Sequence, residues 1–94
     1  MATPISGSCD ARFTAVRDAF VDNFAERGEV GAGVCVRIDG RTVVDLVGGW
    51  ADEARQRPWQ HDTLVNFYSV GKALVGLLAL QLVDNGAIGL DDPI

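Results

Sequence analysis

Asn66-Phe67-Tyr68-Ser69-Val70-Gly71-Lys72-Ala73-Leu74 sets a hydroxyl three residues ahead of an amine, and an apolar run (Leu74, Val75, Leu77, Leu78, Leu80, Leu82, Val83) begins just behind it. Read as a helix, the run puts Ser69 and Lys72 on one face a turn apart, because side chains three apart on a helix are neighbours. Lys72 is the only lysine; the other seven basic residues are arginines, which keep their protons at any working pH. The one amine able to take a proton from a serine therefore stands beside this serine.

Working outward, residues 63–68 read as a short β-prone approach through Leu64, Val65, Phe67 and Tyr68. The helix is predicted over 69–85. It is apolar on most sides apart from Lys72 and Gln81, the pattern of a buried helix rather than a surface amphipath. Gly86 stops it, and Asp91-Asp92-Pro93 forms an exit turn that cannot continue a helix.

Nearer the start, Phe13, Val16, Phe20 and Phe24 recur at three- and four-residue steps and predict a one-sided helix over 10–28. Asp10 or Ser8 can cap its start, and Gly28 can end it. A β-hairpin follows over 33–47. Its strands Gly33 to Ile38 and Arg41 to Val47 are joined by Asp39-Gly40, a pair suited to the type I′ turn. Val34, Val36 and Ile38 share one face, whereas Val44 and Leu46 lie opposite Val43 and Val47, so both faces of the hairpin expect cover. One helix covers only one of them. Gly48-Gly49 is expected to loosen the chain, and 48–62 reads as a connecting loop without period. In it, Trp59 beside Pro58 reads as a hydrophobic plug, and His61 as a solvent-facing or loop hydrogen-bonding residue, since nothing aims it at Ser69.

At 94 residues the chain is at most one small domain, below the size at which a serine hydrolase houses a cleft, a specificity pocket and an oxyanion hole. With 48% hydrophobic and 22% charged residues it expects to fold, or to be part of something folded. A net charge of −5, with dispersed arginines, argues against nucleic acid as a partner. Cys9, Cys35 and His61 have no metal-ligand spacing, so neither a metal nor a cofactor is expected. The first ten residues lack the basic and apolar regions of a secretory signal, which makes the cytoplasm the expected compartment. The run from Ala73 to Val83 falls short of the ~20 residues that span a bilayer, so no membrane is expected either.

Two readings of Ser69 and Lys72 are open on local physics. In one, Ser69 caps the helix and Lys72 snorkels to water. In the other, Ser69 is a nucleophile and Lys72 its general base or proton relay, a role that requires burial or the helix N-terminal dipole to lower the amine's pKa. The same helix start then offers backbone N–H groups, that of Ser69 included, to an oxygen gaining charge in acyl transfer. The bare S-x-x-K spacing is unspecific, since at average composition it arises in roughly a third of chains this long.

A family resemblance favours the second reading. Asp62-Thr63-Leu64 with Phe67-Tyr68-Ser69-Val70-Gly71-Lys72, followed by Leu82-Val83-Asp84-Asn85-Gly86-Ala87-Ile88-Gly89-Leu90-Asp91-Asp92-Pro93-Ile94, resembles the serine-motif region of the β-lactamase-related serine hydrolases. These include class C β-lactamases, D-alanyl-D-alanine peptidases and family VIII carboxylesterases. The resemblance implies an α+β fold, namely the N-terminal part of a β-lactamase/transpeptidase-like domain: helix, antiparallel hairpin, loop and buried nucleophile helix, with the remainder absent. It also implies two-step acyl transfer through Ser69 with help from Lys72, on a small ester or amide. The family's Tyr-x-Asn motif and its Lys-Thr-Gly-type strand have no counterpart here; Tyr68, the only tyrosine, directly precedes the serine.

The expectation is thus a carboxylesterase-like serine hydrolase in which this chain supplies the nucleophile motif and is inactive alone. It would need the rest of the domain or a partner chain. A β-lactamase or D-alanyl-D-alanine peptidase-type amide hydrolase, a non-catalytic interaction module and one piece of a split enzyme are the alternatives.

Overall fold

The computed structural model describes residues 2–93. They fall into two compact units, Met1–Thr63 and Leu64–Ile94.

The first unit is a three-stranded antiparallel sheet under one helix. Its strands are β1 (Ile5–Cys9), β2 (Gly31–Ile38) and β3 (Arg41–Gly49), and its helix, between β1 and β2, is α1 (Thr14–Glu26). β3 lies in the middle, paired with β1 on one side and β2 on the other. The hairpin turn falls at Asp39-Gly40, where both residues have positive φ (51° and 77°) as a type I′ turn requires. The strands extend beyond the predicted 33–47 at the end away from the turn, and Gly48-Gly49 belongs to β3.

β1 has no precedent in the sequence reading. Ile5-Ser6-Gly7-Ser8-Cys9 carries a single large aliphatic residue, so no period announces it. It pairs at close quarters with β3: a Cβ on Gly7 would lie 1.9 Å from the Asp45 carbonyl oxygen.

The helix begins later than predicted. A 3₁₀ turn at Ala11–Phe13 comes first, and Asp10 Oδ1 accepts the Arg12 N–H (2.9 Å). α1 ends at Glu26, and Gly28 leaves with φ of 71°. Its stripe lies on the face formed by Ala32, Val34, Val36, Val44 and Leu46, with Phe20, Val43, Val44 and Leu46 buried at the centre. Phe20 and Phe24 meet edge to face at 5.3 Å. Burying Phe20 alone is worth about 2–3 kcal/mol.

Two details of β3 explain its burial against α1. Val36 pairs with Val44 but Arg37 with Thr42, so Val43 is the extra residue of a bulge and both valines turn inward. Gly48, far from loosening the chain, admits the aromatic rings: a Cβ there would sit 3.0 Å from both Phe20 and Phe24 and 2.6 Å from Ile5.

The other face takes its cover from the segment after β3. Trp59 lies over Gly31 and Gly33, each of which would bring a Cβ against its ring system (2.5 and 3.7 Å), and it lines a depression with Val47 and His61. The segment expected to be a featureless connector is held by named bonds. The Trp59 N–H donates to the Gly49 carbonyl (2.9 Å), Ala51 N–H to Arg57 (2.7 Å), and Asp52 Oδ1 accepts from Gln56 and Arg57 (3.0 Å each). Order that rests on one carboxylate and backbone pairs leaves no apolar period to read. The Arg57 N–H is the largest influence holding the Asp52 carboxyl below its usual value.

In the second unit a 3₁₀ turn, Tyr68–Val70, leads into α2 (Gly71–Asp84). The helix ends in a Schellman motif. The Ala87 N–H donates to the Leu82 carbonyl (2.9 Å) and the Gly86 N–H to Val83 (3.0 Å), with Gly86 at φ 77°. One expectation needs correction here. Residues 63–67 form no strand, and Leu64 is 96% exposed, because no neighbouring strand among the described residues pairs with them. α2, whose apolar pattern calls for burial in a complete domain, is exposed within these residues: Leu74, Val75, Leu77, Leu78 and Leu80 are each more than half exposed. A helix apolar on every side needs several neighbours, and its own unit offers only two short turns. Among the described residues no helix is long and apolar enough to cross a membrane.

Gly48→Ala is expected to destabilise the first unit by about 1–3 kcal/mol through overpacking. Gly76→Ala, where a Cβ meets nothing within 4 Å, should instead be neutral or stabilising by up to about 1 kcal/mol through helix propensity. Urea denaturation of the two variants separates them. Asp52 generates a pH prediction. Its folded pKa lies below the unfolded value near 4, so its stabilisation is complete above about pH 4 and vanishes as pH falls through the lowered folded value. The difference in urea midpoint between wild type and Asp52→Ala should be present at pH 7 and shrink progressively below pH ~4.

Candidate functional site

The site starts from a local conflict in the chain. Residues 64–67 have no regular secondary structure, α2 begins at Gly71, and the three residues between have to turn one into the other. The turn is made at Tyr68, whose φ of 50° is left-handed, a conformation uncommon for a bulky L residue. The Asn66 side chain accepts the Tyr68 N–H (2.8 Å) and bridges the bend. Val70 N–H then donates to the Phe67 carbonyl (3.1 Å) and Gly71 N–H to that of Tyr68. Among the described residues the Ser69 N–H has no partner in this turn.

Ser69 thus sits in the 3₁₀ turn just before α2, and Lys72 is the second residue of the helix. Val70, not Ser69, holds the position that caps α2, and no side-chain cap bond is made there. Capping therefore does not account for a serine at this place. Ser69 and Lys72 are both exposed. The N-terminal end of α2 lies directly behind the serine in the chain and carries the partial positive charge of the helix dipole. A hydroxyl, an amine one turn on and a free backbone N–H suit attack on a carbonyl carbon with stabilisation of the oxygen that becomes charged.

The remaining candidates belong to the first unit. His61 Nε2 is 3.2 Å from Asp45 Oδ1, a loop-to-strand contact. Cys9 donates its thiol to the Phe13 carbonyl (3.3 Å), and Cys35 is a free, exposed thiol. Among the described residues no three His, Cys, Asp or Glu side chains converge as a metal site would need. Asn66 is the residue that pattern reading passed over. Its signal was an Asx residue two positions ahead of a turn, a common and therefore weak one.

Comparison with known proteins bears on the family and the fold. Residues 16–94 match the family model described as Beta-lactamase. The chain is 34% identical over 90 residues to Esterase/beta-lactamase LipL of Mycobacterium tuberculosis, covering 96% of this chain and 21% of the relative. Among solved structures, a penicillin-binding protein homolog from Caulobacter crescentus superposes with a TM-score of 0.88 at 48% identity, covering 94% of this chain and 24% of that one. A family VIII carboxylesterase gives 0.87 at 48% identity, with 90% and 23% covered. The chain spans about a quarter of the length of these relatives.

Proposed function

The chain belongs to the beta-lactamase family, and from that premise we propose that it supplies the nucleophile segment of a serine hydrolase acting on small carboxylic esters. The observation that carries the proposal is the turn at Tyr68–Val70. It presents Ser69 with a hydroxyl not used as a cap and an N–H without a partner among the described residues, directly before a helix whose second residue is the chain's only lysine.

The chemistry runs in two balanced steps. Ser69 Oγ bonds to the ester carbonyl carbon while its proton passes to the neutral Lys72 amine. The carbonyl oxygen takes the negative charge beside the Ser69 N–H. Collapse breaks the bond to the alcohol, which leaves with the proton. Water then attacks the acyl-enzyme, and the acid departs as Oγ regains hydrogen.

Ester substrates are favoured by the names of two relatives, one an esterase/beta-lactamase and one a family VIII carboxylesterase. The likeness to a penicillin-binding protein homolog favours a second reading, attack on a β-lactam or peptide amide by the same serine. The exposed apolar surface of α2 supports the further proposal that residues 1–94 alone are inactive and that catalysis takes place in a longer domain or with a partner chain.

In the whole protein a fluorophosphonate should label Ser69. Labelling should vanish in Ser69→Ala and slow by about a hundredfold or more in Lys72→Ala. Absence of labelling would point to a non-catalytic module. Turnover of a short-chain p-nitrophenyl ester should exceed that of a chromogenic cephalosporin; the reverse order would favour the lactam reading. Residues 1–94 expressed alone should show no ester burst and should self-associate on size-exclusion chromatography. A monomer with a burst dependent on Ser69 would defeat that expectation.

A further inference from the structure

Tyr68 holds a left-handed φ of 50° while the residue is 84% exposed, so packing of the side chain does not impose the conformation. A strained backbone persists only where its surroundings over-determine it. Two constraints are visible at this one. The helix must start at Gly71, and the Tyr68 N–H is bound at 2.8 Å by Asn66 Oδ1. An Asn side chain two residues back substitutes for a backbone carbonyl and closes a turn that the chain otherwise leaves open.

We propose that Asn66 is a positioning residue that locks the left-handed bend at Tyr68 and thereby aims the hydroxyl and the N–H of Ser69; this rests on the nucleophile role proposed above. The peptide joining Tyr68 to Ser69 turns with the Tyr68 dihedrals. If Tyr68 relaxes to the ordinary negative φ, that peptide plane swings, carrying the Ser69 N–H and its Cα–Cβ bond with it. The N–H would then leave the position that a developing oxyanion needs. An acceptor at residue 66 prevents this without touching substrate. Its effect belongs to the reacting geometry, and so to kcat rather than to KM.

The test uses the whole protein and two readouts, the rate of fluorophosphonate labelling and the kcat and KM of a short-chain p-nitrophenyl ester. Asn66→Ala is expected to slow labelling and lower kcat by about tenfold or more, with KM changed by less than about threefold. Asn66→Asp keeps the acceptor oxygen and should recover most of the rate. The decisive arm removes the strain itself. Glycine adopts positive φ without penalty, so in a Tyr68→Gly background the loss caused by Asn66→Ala should shrink to about threefold or less.

Wild-type labelling by Asn66→Ala, or an undiminished loss in the Tyr68→Gly background, overturns the proposal while Ser69→Ala remains silent and the nucleophile reading stands. Labelling that survives Ser69→Ala defeats both. Should Asn66→Ala not fold, Tyr68→Val replaces it, since a β-branched residue resists left-handed φ. That variant should label at least about tenfold more slowly than Tyr68→Gly, and equal rates would overturn the proposal.

Discussion

The close approach of two phenylalanine rings to the bare backbone of β3 is the contact on which the first unit depends. Phe20 and Phe24 reach Gly48 to within the distance at which any Cβ would press on them, and Gly49 meets the Val30 carbonyl more closely still. With α1 seated this low, the inward residues of all three strands share one core centred on Val44 and Leu46. β3 can be central because its edges are paired on both sides, and its buried backbone groups find partners in β1 and β2. Trp59 then uses Gly31 and Gly33 in the same manner on the opposite face. Helix, sheet and folded-back segment are three consequences of glycines placed where ring atoms need room.

Legibility in the sequence followed the physical origin of each element. The stripe of Phe13, Val16, Phe20 and Phe24 and the Asp39-Gly40 turn are local signals, and helix and hairpin were readable from them. β1 was not, because Ile5-Ser6-Gly7-Ser8-Cys9 becomes a strand by pairing with residues some forty positions away. The role of Gly48-Gly49 was inverted for a related reason. A glycine reads as flexibility until the aromatic ring that fills its vacancy is known. At the candidate site the Ser69 and Lys72 spacing and the family resemblance were legible from residue types alone. Asn66 was not, since its weight comes from the backbone angle of Tyr68, which no spacing encodes.

The two units answer to different physics. The first contains its own core. The second is a helix with apolar residues on every side, closed by a well-formed Schellman motif yet exposed along Leu74, Val75, Leu77, Leu78 and Leu80. Its local geometry is complete: start, turn and stop are each fixed by named hydrogen bonds. What it lacks within residues 64–93 is an environment. In the proposed mechanism the apolar neighbours that α2 calls for would also enclose the proposed site. Packing and catalysis would then be two results of covering one helix.

The glycines of β3 also bear on how this segment can vary in evolution. Glycine has no smaller substitute, so every missense change at Gly48 or Gly49 adds a Cβ, and there is no conservative direction in which either position can drift. At an aliphatic core position such as Leu46, by contrast, a loss of volume can be repaired by a gain next door. A lineage could accept a side chain at Gly48 only by shrinking Phe20, Phe24 and Ile5 together, a concerted change that single substitutions cannot reach through stable intermediates. The end of β3 is therefore expected to drift little, constrained by crowding rather than by chemistry.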